Sequence, residues 1–145
     1  MSGSKKARST SARLFSVQAV YQALQNNQKP VDLIAEYLQH HIGMDLEDGE
    51  MVSPDQVLFK SILAGVTSRA EELSELLKAR LPTQDIDLLL KSILLCGLYE
   101  LIGHPDIDAP IIISDYINVT HGFYAGSEPK LVNGVLDAVA KENRG

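Results

Sequence analysis

The sequence predicts an all-α protein of about seven helices, and three observations carry that prediction. Apolar residues recur every three or four positions through most of the chain, the spacing of one helical face. Prolines and Ser, Thr, Asn or Asp residues stand where those patterns begin and end, as helix borders require. The one segment with strand character, "IIISDYINVTHGFY" (111–124), finds no strand partner elsewhere.

The elements follow in order. Thr10 or Ser11 caps a first helix with the stripe Leu14, Val17, Val20, Tyr21 and Leu24, ended by Asn26 and Asn27. A second helix runs from about Pro30 to His41 and presents Leu33, Ile34, Tyr37 and Leu38. Gly43 to Val52 reads as an acidic loop. Ser53 then caps a third helix, with Pro54 first in the helix and Gln56 closing a capping box. Its stripe is Val57, Leu58, Ile62, Leu63 and Val66. A short amphipathic helix covers roughly Arg69 to Ala79, and Pro82 and Thr83 break the chain before a long apolar helix to about Ile102. That helix is too short and too interrupted by Lys91, Ser92 and Glu100 to span a bilayer, so it reads as buried core. "GHPDIDAP" (103–110) connects to "IIISDYINVTHGFY", whose Ile113, Tyr116, Ile117, Thr120 and Tyr124 spacing favours a helix. In the last helix Leu131, Val132, Val135, Leu136 and Val139 form the core face. Lys130, Asn133, Asp137 and Lys141 lie opposite, with Gly134 at their edge.

Length and composition fit a single domain: residues 1–9 form a basic flexible arm and residues 10–145 one helical domain. The net charge of −6 argues against a generic nucleic-acid binder. Its distribution is uneven. Residues 1–13 carry Lys5, Lys6, Arg8 and Arg13 with no acid, a pattern compatible with an arm that meets phosphate. The basic start is not followed by the apolar segment of a secretory signal, so a cytoplasmic location is expected.

Catalytic and metal signals are weak. Cys96, the only cysteine, sits in the most apolar helix and reads as a small core hydrophobe. His104, Asp106 and Asp108 form a possible divalent-ion loop, and helix-capping carboxylates are the simpler account. Nothing assembles an acid, a base and a nucleophile, so neither catalysis nor a cofactor or metal is expected. The better signal is on the first helix, where Phe15, Gln18 and Gln22 lie close behind Arg13. An aromatic ring, amides and cations together suit single-stranded RNA.

"ARLFSVQAVYQ" (12–22), "FKSILAGV" (59–66), "LYEL" (98–101) and "KLVNGVLDAVA" (130–140) together resemble the NusB family of bacterial transcription antitermination factors, from about Ala7 onward. The resemblance implies an all-α fold of two packed helical subdomains and no enzymatic activity. It also implies pairing with NusE, a ribosomal protein, and binding of boxA in nascent ribosomal RNA, so that RNA polymerase, held in an antitermination complex, reads through terminators. By the same resemblance Lys5, Lys6, Arg8, Arg13, Gln18 and Tyr21 belong to the RNA surface, and Lys130 and Asn133 to the C-terminal block. The chain departs from the family pattern at Leu95, Ser114-Asp115 and Leu131. A NusB-like module that binds only protein, with weak or no RNA binding of its own, is the alternative expectation.

Overall fold

The computed structural model describes residues 4–42 and 54–144, with residues 41 and 42 in backbone only. The predicted acidic loop and the Ser53 cap therefore lie outside the described residues. Among the described residues seven α-helices follow in order: α1 (Lys5–Gln25), α2 (Ile34–Tyr37), α3 (Gln56–Ser68), α4 (Ala70–Arg80), α5 (Leu88–Gly103), α6 (Ala109–Phe123) and α7 (Glu128–Arg144). A 3-10 turn (Pro30–Leu33) leads into α2 and a π turn (Leu38–Ile42) leaves it, so the second predicted helix is a composite of three pitches. No strand occurs among the described residues, and the ambiguous 111–124 segment is helical.

The architecture follows from α5. A helix that is apolar all round must be buried all round. Leu90, Ile93, Leu94, Leu95, Cys96, Leu98 and Leu101 are all in the core. Around this axis α1, α3, α4, α7 and α6 pack in turn, each touching the next and α1 closing on α6. Asp87 caps α5, its carboxylate accepting from the Leu90 amide at 2.8 Å, and also accepts the Tyr124 hydroxyl at 2.6 Å. Burial, followed by that bond to Asp87, pushes the Tyr124 phenol above its ordinary ionisation range. At the other end the Arg144 guanidinium donates to the Leu101, His104 and Ile107 carbonyls, satisfying acceptors freed where α5 ends.

Several sequence expectations are corrected. Helix α1 begins at Lys5 and not at Thr10 or Ser11, because Ser4 accepts from the Ala7 amide at 3.1 Å and caps it. Lys, Ala and Arg are good helix formers, so the basic segment extends the helix without an apolar stripe to announce it. Helix α3 is capped by Asp55, which accepts from the Leu58 amide at 3.0 Å. Val57, expected in the core, points outward at 79% exposure in the first turn of α3. Leu14 and Phe15 exchange their expected places: Phe15 is 8% exposed and Leu14 36%. The cause is the width of the buried arc of α1, which touches α3, α5 and α6. Small residues such as Ala12, Ser16, Ala19 and Ala23 are buried too, and they blur the stripe.

Candidate nucleic-acid interface

The predicted cationic and aromatic residues divide into two groups. Arg13 belongs to the interior. Its Nε and Nη2 donate to both oxygens of Glu100 at 2.8 and 2.9 Å, and Nη1 donates to Asp115 at 2.7 Å. Tyr116 adds its hydroxyl to Glu100 at 2.6 Å, and Thr10 donates to Asp115 at 2.9 Å. Burial works against the Arg13 charge, yet the bonds to Glu100 and Asp115 outweigh it and hold the guanidinium above its usual range. Burial, then the Glu100 charge, pushes the Tyr116 phenol up as well. This network joins α1 to α5 and α6, and it leaves Arg13 no free donor face for a phosphate. Phe15 is likewise in the core and offers no ring to a base.

The second group is at the surface. Lys5 and Lys6 are exposed on the first turn of α1. Arg8 is half-buried, and its carbonyl accepts from the Asp55 amide at 3.0 Å. Gln18 is exposed. Tyr21 is half-buried, with its hydroxyl accepting from Gln25 at 3.1 Å. Gln22 accepts the Tyr37 hydroxyl at 3.0 Å and is thereby turned toward α2. Lys130 and Asn133 are exposed on α7. The outward line on α1 is therefore the exposed Leu14, Gln18 and Gln25 with the half-buried Tyr21 among them, at alternating three- and four-residue steps.

Helix α6 packs between α1 and α7. Its outer face, Ser114, Asn118 and His121, went unnoticed in the sequence and yet lies between the two predicted patches. The available signal was polar residues at i, i+4 and i+7 in an otherwise apolar helix. Between α6 and α7 runs an open groove of about 580 Å³ lined by Ile113, Ile117, Ala140, Asn118, Asn133 and Asp137, among others.

Charge is segregated around the ring. No acid occurs in α1, and the one acid of α6, Asp115, is buried against Arg13. On α7 Asp137 is neutralised by Lys141 at 3.0 Å. Helix α4, which packs between α3 and α7 in this ring, carries exposed Glu71, Glu72 and Glu75. A net-acidic chain thus keeps one face, α1 and α6, nearly free of carboxylate, which is the arrangement an anionic polymer requires. No group of His, Cys, Asp and Glu that could hold a metal ion occurs among the described residues. No helix among them is long and apolar enough to cross a membrane.

Compared with known proteins, residues 10–141 match the NusB family. The transcription antitermination protein NusB of Novosphingobium aromaticivorans is 40% identical over 97% of both chains. That of Sphingopyxis alaskensis is 39% identical, also over 97% of both. Among solved structures, T. maritima NusB superposes with a TM-score of 0.75 at 18% identity, covering 99% of this chain and 96% of that one. A crystal structure of antitermination factors NusB and NusE in complex with double-stranded RNA superposes at 0.77 with 19% identity, covering 96% and 99%. At such identities the superpositions establish the fold.

Proposed function

The chain belongs to the NusB family, and from that premise we propose that it is an RNA-binding transcription antitermination factor that pairs with NusE and binds boxA in nascent ribosomal RNA. The observation that carries the RNA part of this reading is the carboxylate-free face of α1 and α6 on a chain of net charge −6. The action is assembly and not catalysis. Lys5, Lys6 and Lys130 meet phosphates, Gln18 and Tyr21 meet unstacked bases, and NusE supplies the rest of the platform. The likeness to a solved NusB–NusE–RNA complex over nearly the whole chain supports that partnership. The relatives are named for transcription antitermination, and that supports a cytoplasmic location beside RNA polymerase.

A second reading, a NusB module that binds protein and little RNA, is favoured by the retreat of Arg13 and Phe15 into the core. One titration separates the two. The purified chain, alone and with NusE of the same organism, is titrated into labelled boxA RNA at low salt. RNA capture that NusE strengthens is the expected result. Binding of NusE with no capture of RNA in either setting leaves the protein-only reading standing, and failure to bind either one removes both.

A further inference from the structure

The groove between α6 and α7 has a chemistry of its own. Its floor is aliphatic, from Ile113, Ile117 and Ala140, and its walls carry two carboxamides, Asn118 from α6 and Asn133 from α7. Both amides belong to exposed residues. Within the described residues neither side chain is engaged in a hydrogen bond or ion pair, so both amides are available to a ligand. A carboxamide offers a paired donor and acceptor in one plane, which matches the edge of a nucleobase. The aliphatic floor suits the apolar face of such a ring. The one acid of the lining, Asp137, is already paired with Lys141, so the groove does not repel an anionic strand.

Position adds a second argument. The groove adjoins the outer face of α6, and the exposed Lys130 stands one turn before Asn133 on α7. At Gly134, next to Asn133, an added Cβ meets nothing within 4 Å in the chain itself. The missing side chain is therefore not required by internal packing, and it leaves the α7 backbone open to a strand passing over the groove.

We propose that this groove is a base-reading pocket: an unstacked base of the single-stranded RNA lies on Ile113 and Ile117 while Asn118 and Asn133 bind its edge. The proposal rests on the RNA-binding reading above and goes further by assigning sequence discrimination to the α6–α7 groove. The lysines of α1 then supply affinity that is indifferent to sequence.

The test uses the full chain with NusE, boxA RNA and a scrambled RNA of equal length. Asn118→Ala and Asn133→Ala are each expected to weaken boxA binding about tenfold, to weaken scrambled RNA far less, and to leave the salt dependence unchanged. Both positions are exposed, and circular dichroism checks that each variant folds. Replacing boxA purines one at a time by 2-aminopurine gives an independent readout, because a base seated in the groove leaves the stack and brightens on binding. That brightening is expected at one position or two, and to vanish in the Asn118→Ala variant. If the wild type prefers boxA while both variants keep its affinity and preference and no probe brightens, the groove is not the reading site although the chain still binds RNA. If the wild type ignores RNA even with NusE, the functional reading falls and the groove assignment falls with it.

Discussion

Arg13 shows how one residue can carry a convincing signal and a different role. In the chain it closes a run of cations, and the natural expectation is phosphate contact. In the fold it is 3% exposed and bound to Glu100 and Asp115. A buried ion pair of this kind adds little net stability, but removing one partner strands the others. Arg13→Ala is therefore expected to cost about 3–5 kcal/mol in chemical denaturation, because Glu100 and Asp115 would be left buried without the guanidinium that binds them. The ionisation of Arg13 is raised in the folded state, so its contribution is complete at any pH below the ordinary arginine range and fades only as strong alkali passes the folded value. Cys96 behaves as its neighbourhood dictates. Burial, followed by the Glu100 charge, pushes its thiol well up, and a thiol reagent should modify it only when the protein unfolds.

At the scale of helices, two glycines with the same chemistry have opposite meanings. Gly65 in α3 faces Tyr99 of α5, and a Cβ there would lie 2.0 Å from the ring. Gly65→Ala is expected to destabilise by about 1–3 kcal/mol or more, because the ring must leave its place between the helices. Gly134→Ala meets no atom, gains about 1 kcal/mol of helix propensity and is expected to raise the melting temperature. The same substitution should weaken RNA binding if the strand crosses the α7 backbone. Paired melting and binding measurements on these two variants check both statements. Most helices were legible from periodicity: α5 by its unbroken apolar run, α7 by its single clean stripe of Val132, Val135, Leu136 and Val139. Helix α1 was half legible. Its existence followed from spacing, but its burial on several sides did not, and that misplaced Leu14 and Phe15. The composite segment around α2 was legible only as helical, since changes of pitch leave no periodic mark.

At the scale of the molecule, the interface was legible as a list of residues on α1 and α7 and not as a surface. What joins them is α6, and its position between them is a tertiary fact with no local signature. Salt provides the global check. With Arg13 internal, the cations free to meet the strand on α1 are chiefly Lys5 and Lys6. Replacing both by Ala is expected to flatten the slope of log affinity against log salt by about 1.4, at roughly 0.7 per phosphate for single strands. Affinity should fall alike for boxA and scrambled RNA, and an unchanged slope would move the phosphate path away from α1.

The central place of α5 also has a consequence during synthesis. Arg13 waits for a partner 87 residues downstream, and the apolar side of α1 waits for the same helix. At about 5–20 residues per second, a ribosome needs on the order of 4–17 seconds to deliver it. Throughout that interval Phe15, Val17 and Val20 have no axis to pack on, so the nascent N-terminal helix is a natural client for whatever chaperone stands at the exit tunnel.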